Sequence, residues 1–205
     1  MPRAARTVQR RKPRQKRAED TVVVLLDATE RVVSKRGFHA ATTNHIARVA
    51  GVSIGTLYHY FPTKEALVSA VVHRMWQGEL IAVMQHAQAF QEAPLGDAIR
   101  LAVRALVEEI GRKIALYKYW YSEASHLGDL QTGLGMTDQA IAFIQSVLES
   151  KRSEVRPRDL AFAADLTVKT ALAMARTGAR DYEAQIKNGE LAGELADMLT
   201  RYLLI

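Results

Sequence analysis

Between Thr42 and Pro62 the chain reads TTNHIARVAGVSIGTLYHYFP, and no other stretch restricts its folding so tightly. Ile46, Ala47, Val49 and Ala50 fall on one side of a helix, Gly51 interrupts them, and Leu57 and Phe61 resume one turn apart. Thr42 and Ser53 stand just ahead of the two runs, where a hydroxyl can accept an N–H that the first helical turn leaves orphaned. The spacing predicts short helices over 43–50 and 54–60, joined by a turn that Gly51 closes and Val52 plugs. Upstream, Val22, Leu25, Leu26, Thr29, Val32 and Val33 keep helical spacing and predict a longer helix over about 20–36, stopped at Gly37. A long helix followed by two short ones across a glycine turn has the pattern of a helix-turn-helix unit.

The rest of the chain is helical by the same criterion, and no strand alternation stands out. After Pro62, Thr63 is a cap and Glu65 an acid in the first turn, favoured by the helix dipole. Leu67, Val68, Val71, Val72, Met75 and Met84 extend that helix to about 25 residues, or roughly 37 Å. Pro94 and Gly96 break the chain, and Ile99, Ala102, Val103, Leu106 and Ile110 mark a fifth helix. Gly111, Gly128, Gly133 and Gly135 punctuate the middle, leaving helices around 114–126 and 137–152. Pro157 opens a helix over 157–177, and Asn188 or Gly189 opens the last. The expected fold is all-α, with about nine helices. A functional boundary is expected near residue 64, dividing a flexible basic arm over 1–19 and a helix-turn-helix domain over 20–63 from a larger helical domain over 64–205.

Charge is unevenly spread. The net charge is +6, yet residues 1–17 alone hold eight cations and no acid, so the remainder sums to −2 (6 minus 8). A basic arm on a nearly balanced body suits a polyanion, because neutralising phosphates releases counterions. A solubilising tail fits the same charge. The absence of cysteine removes disulfides, thiolate metal sites and cysteine nucleophiles. No apolar run approaches the roughly 20 residues of a membrane helix, and no signal segment is visible. The expectation is a soluble cytoplasmic protein without membrane contact.

With Leu57 and Phe61 turned inward, Gly55, Thr56, Tyr58 and His59 are left facing outward at the spacing of adjacent turns. Gly55 is a poor helix former, costing about 1 kcal/mol against alanine, and makes sense where a backbone must approach a base edge or phosphate closely.

The run TTNHIARVAGVSIGTLYHYFPTKEALVSAV resembles the N-terminal domain of the tetracycline-repressor (TetR) family of bacterial transcriptional regulators. The resemblance rests on Thr42, Thr43, Ile46, Ala47, Ala50–Ser53, Gly55, Leu57, Tyr58, Tyr60, Phe61, Lys64 and Leu67 and covers about 45 residues; beyond residue 70 it is one of helix number and length. It implies that the helix at 54–60 enters the major groove. Ile54, Gly55, Thr56 and His59 would then sit nearest the base edges, joined by Thr43. Thr42, Ser53, Tyr58 and Lys64 would hold phosphates. Thr42 and Ser53 serve equally well as helix caps, His59 as a solvated side chain, and Ile54 as a gap filler or a reader of a thymine methyl. The resemblance also gives the arm a course toward the minor groove, where arginines suit the narrow negative potential.

For the larger half the resemblance implies a two-fold four-helix interface built from the helix at 160–179 and the last helix. Its candidates are Phe162, Leu166, Lys169 and Ala173 on the first, and Leu191, Leu195, Met198, Leu199 and Tyr202 on the second. Packing within the monomer would use the same residues. An effector pocket would draw on Trp76, Met84, Phe90, Met136 and Phe143, and on the cluster YKYWYSEASH with Tyr117, Trp120, Tyr121, Glu123 and His126. Such residues also build ordinary cores, and the pattern names no ligand. Six scattered histidines form no HExxH pair, and neither GxSxG nor a phosphate-binding glycine loop occurs, so neither enzyme, metal nor cofactor is expected. The reading is a homodimeric repressor on a palindromic double-stranded operator, released by a small hydrophobic effector. A TetR-type activator and a ligand-independent architectural DNA-binding protein are the alternatives.

Overall fold

The computed structural model describes residues 13–121 and 131–205, with side chains except at 13–15, 38 and 131–134. Its helices are α1 (Pro13–Ala40), α2 (Thr43–Ala50), α3 (Ile54–Tyr60), α4 (Lys64–Met84), α5 (Ala87–Glu92), α6 (Leu95–Arg112), α7 (Ile114–Tyr119), α8 (Gln131–Ser150), α9 (Leu160–Asp181), α10 (Glu183–Lys187) and α11 (Glu190–Leu203). A 3₁₀ turn, Arg152–Glu154, precedes α9. Among the described residues extended pairing is confined to one bridge, Val155 with Leu204. Among the described residues the fold is all-α, with eleven α-helices where periodicity predicts about nine. The additions, α5 and α10, are six and five residues long, well short of the roughly 11–18 residues over which helical periodicity can be read.

The described residues divide into two compact units, one running up to Val68 and the other from Ser69 onward. In the first, Leu25, Leu26, Val32, Val33, Ile46, Ala47, Leu57, Phe61 and Leu67 form the buried core. Thr29 sits in that apolar stripe and is satisfied locally, its hydroxyl donating to the Leu25 carbonyl at 2.7 Å. α1 starts at Pro13, seven residues ahead of the sequence boundary (20 minus 13). Residues 13–19 are therefore helical rather than part of a flexible arm: proline is pre-set for a first helical turn, and lysine and arginine are good helix formers. Arg3, Arg6, Arg10, Arg11 and Lys12 lie outside the described residues. The predicted stop at Gly37 survives as a break inside α1, at φ 77° and ψ 166°, a conformation open to glycine alone.

In the second unit α9 packs against α6, α7, α8 and α11, and α6 against α11. The α6 start is held by a carboxylate: the Leu95 N–H donates to Glu154 Oε2 at 3.1 Å, a favourable charge at a helix N-terminus. Glycine proved a weaker breaker here than the sequence suggests. Gly111 lies inside α6, and Gly133 and Gly135 lie inside α8; Gly128 is outside the described residues. The helix expected from Pro157 begins at Leu160 instead, because Asp159 caps it by accepting the Phe162 N–H at 3.0 Å. Gly189, at φ 81°, opens α11.

Candidate nucleic-acid interface and effector cavity

The turn between α2 and α3 is fixed by local chemistry. Gly51 adopts the left-handed conformation at φ 70°, and the Val52 N–H donates back to Ala47 at 3.0 Å. Thr42 accepts the His45 N–H at 3.2 Å, and Ser53 accepts the Thr56 N–H at 2.9 Å, so both hydroxyls act as helix caps. The Ser53 and Thr56 hydroxyls share a further bond of 2.8 Å. Thr43 and Tyr58 share one of 3.1 Å, tying the first turn of α2 to the middle of α3. The Tyr58 hydroxyl is thus positioned although its side chain is 47% exposed.

Leu57 is fully buried and Phe61 nearly so, which turns the opposite side of α3 outward. Thr42, Ser53, Ile54, Gly55, Tyr58 and His59 are exposed, and Thr43, Thr56 and Lys64 half-buried. A Cβ built on Gly55 would meet only Ser53 Oγ, at an ordinary 3.7 Å. Nothing inside the protein therefore requires glycine at that position. Arg48 on α2 is exposed as well. Partial desolvation, then the charges of Arg36 and Arg48, lower the His45 imidazole below its usual value and favour its neutral form. This surface offers hydroxyls, an uncovered backbone and positive charge together, the donor set that phosphates and base edges accept.

The second unit contains a cavity of about 100 Å³ walled by α4, α5, α6, α8, α9 and α11. Trp76, Met84, Phe90, Met136 and Phe143 line it, whereas Tyr117, Trp120 and Tyr121 stand outside its lining. Glu123 and His126 lie outside the described residues. Trp120 packs edge-on against Trp76, and Phe143 against Phe90.

The polar part of the wall was not among the residues expected from the sequence. Glu79, only 2% exposed, accepts Arg176 Nε at 3.0 Å on each oxygen and Nη2 at 2.6 Å, and also accepts the Tyr117 hydroxyl. Arg176 lies 5.1 Å above the Trp76 ring. Burial first, then the Glu79 charge, pushes the Tyr117 phenol well above its usual range, so it stays protonated and donates. Glu79 sits four residues after buried Met75 and three after Trp76, on the buried side of α4. A carboxylate on an apolar face was the available signal. Thr167, also buried, lines the same cavity, and its hydroxyl has no hydrogen-bond partner among the described residues.

The interface residues proposed from α9 and α11 separate into two sets. Phe162, Leu166, Lys169, Ala173 and Met198 are exposed and Tyr202 half-buried. Leu191, Leu195 and Leu199 are buried in the protomer, Leu199 in the cavity wall, and present almost no surface to another chain. The α11 stripe has this use because α11 packs on α6 and α9. Among the described residues no cluster of histidine and carboxylate suits a metal ion, and no helix is long and apolar enough to cross a membrane.

The profile of bacterial regulatory proteins of the tetR family matches residues 25–71, and that of a tetracyclin repressor-like C-terminal domain matches residues 94–203. The HTH-type transcriptional regulator UidR of Escherichia coli K12 is 40% identical over 58 residues, which is 28% of this chain and 30% of UidR. BetI of Klebsiella pneumoniae is 31% identical over 96 residues, 47% of this chain and 49% of BetI. The chain thus aligns with less than half the length of these curated relatives. Among solved structures, a TetR-family transcriptional regulator from Pectobacterium atrosepticum superposes with TM-score 0.71 at 20% identity, covering 93% of this chain and 97% of that one. At that identity the likeness is one of fold.

Proposed function

Because this chain belongs to the TetR family of bacterial regulatory proteins, we propose that it is a homodimeric repressor that binds a palindromic operator through α3 and releases it when a small hydrophobic effector fills the cavity. The observation that carries the DNA-binding part is the outward side of α3, where Gly55 has no internal reason to be glycine. Ile54, Gly55, Thr56 and His59, with Thr43, meet base edges in the major groove. Thr42, Ser53, Tyr58 and Lys64 contact phosphates, and capping does not prevent this, since each hydroxyl oxygen keeps further hydrogen-bonding capacity.

Dimerisation is supported by the exposed apolar residues of α9 and α11, with Phe162 60% and Met198 47% exposed. Pairing these helices about a two-fold axis would present two copies of α3 to successive major grooves, about 34–36 Å apart. Effector release needs only that the ligand bind more tightly to the form with low operator affinity. The domain reading follows from the same assignments: DNA binding up to about residue 63, effector binding and dimerisation beyond. Footprinting on DNA upstream of the protein's own gene tests the proposal. A protected palindrome is expected, and random duplexes bound as tightly as any selected site at equal salt would sink it.

A further inference from the structure

We infer that Arg36, His45 and Arg48 form a further anchoring site for the DNA backbone, holding a phosphate beyond those assigned to Thr42, Ser53, Tyr58 and Lys64, and that this site makes operator binding depend on pH. The site rests on the operator reading of α3 and adds to it a contact and a form of regulation.

α1 packs against α2, and the three groups share a patch across that contact. Arg36 and Arg48 are exposed and His45 half-buried. The charges acting on the His45 ring are those of Arg36 from α1 and Arg48 from its own helix, with none from α3. Both guanidinium groups therefore lie within electrostatic reach of the ring. His45 stands one turn after Thr42, whose hydroxyl accepts its backbone N–H at 3.2 Å, so the patch continues the surface already assigned to phosphates. No acid stands in the first turn of α2, and the positive end of the helix adds to the same field.

Folding gives no reason for this grouping. Other surface arginines are paired, Arg100 with Asp97, Arg104 with Glu108 and Arg201 with Asp197. Among the described residues neither Arg36 nor Arg48 is in an ion pair, and no carboxylate acts on His45. Arg48 gains a little from the C-terminal end of α2, but nothing comparable holds Arg36 beside it. A phosphodiester supplies the missing negative charge. Each arginine fork matches a pair of phosphate oxygens, and a protonated imidazole adds a further donor.

His45 links the site to protons. In the free protein, desolvation and then the two arginine charges hold its imidazole below the ordinary 6.5, so it is neutral near pH 7. A phosphate beside the ring favours the charged form and raises that value. Binding DNA therefore takes up a proton, and by linkage affinity must rise as pH falls. The gain begins as pH drops toward the bound-state value and is complete below the free-state one.

Fluorescence anisotropy on the footprinted duplex, at fixed salt from about pH 8 to 5.5, tests the site in the full-length protein. The affinity ratio of wild type to His45→Gln should be near one at the upper limit. At the lower limit it should reach about two- to tenfold per half-site, where tenfold corresponds to bound and free values about one pH unit apart. His45→Lys, charged throughout, should keep the higher affinity at both limits, and neither change removes the backbone N–H that Thr42 accepts. Arg36→Gln and Arg48→Gln should each weaken operator and random duplexes alike by about two- to tenfold and flatten the salt dependence. Their melting temperatures should stay within about 2 °C of wild type, since neither loses an ion pair. Inorganic phosphate at equal ionic strength should leave the wild-type to His45→Gln ratio unchanged, and a ratio that collapses in phosphate assigns the site to the free ion and overturns the inference. A ratio independent of pH overturns it too, as does an operator affinity unmoved in both arginine variants. The operator reading fails on a different result, the absence of a wild-type footprint at every pH in the range.

Discussion

Replacing Gly55 with alanine should make the protein more stable and worse at its task. Gly55 is the second residue of α3, exposed, and its φ is not positive, so the backbone accepts any L-residue. The new methyl would meet Ser53 Oγ at 3.7 Å and nothing else within 4 Å. Glycine costs about 0.5–1 kcal/mol against alanine within a helix. For a chain of this length that gain corresponds to a melting temperature higher by about 1–4 °C. Against an operator the same methyl would stand where the backbone comes closest to the base edges. Overpacking a close interface by one methyl costs about 1–3 kcal/mol, which is a loss of about 5- to 150-fold in affinity. Thermal denaturation and fluorescence anisotropy with an operator duplex at fixed salt measure the two effects separately. Unchanged operator affinity would refute the placement of Gly55, and a lowered melting temperature would expose an internal packing role.

Lys64→Ala should weaken binding to all duplexes alike and flatten the salt dependence, whereas Thr56→Ala should alter base preference; equal, sequence-independent losses from both would show that the wrong side of α3 has been assigned. Phe162→Asp should give a folded monomer by sedimentation equilibrium, because the ring is 60% exposed, and a persistent dimer would move the interface elsewhere. Arg176→Met strands the Glu79 carboxylate and should cost about 3–5 kcal/mol in chemical denaturation. Adding Glu79→Gln should recover part of that loss, and strict additivity would deny the coupling. The Glu183 carboxyl is lowered to about 2 by hydrogen bonds from Lys118 and Lys187. Its contribution should therefore be complete above the ordinary value of 4.5 and disappear as pH falls toward 2. The melting-temperature gap between wild type and Glu183→Gln should close over that interval, and a gap independent of pH would contradict the assignment.

The helix-turn-helix region was legible because its determinants are local. Thr42, Gly51 and Ser53 act on backbone atoms within five residues of themselves, and the boundaries of α2 and α3 coincide with those the spacing predicts. Where a competing local signal prevailed the prediction slipped: Asp159 displaced Pro157 as the start of α9, and Gly111 was absorbed into α6. Five of the eight aromatic and methionine candidates line the cavity, because a stripe shows that a residue is inward without showing which neighbour it meets.

The sequence by itself determined that this chain folds into helices, where α2 and α3 begin and end, and which side chains of α3 face outward, since helical period and capping act over a few residues. Tertiary structure alone decided the rest. Glu79 meets Tyr117 across 38 residues and Arg176 across 97, and the Thr167 hydroxyl is left without a partner among the described residues on a helix that its neighbours enclose. Charge neutrality and an unmet hydrogen bond are properties of groups brought together, so they exist only once the helices have packed.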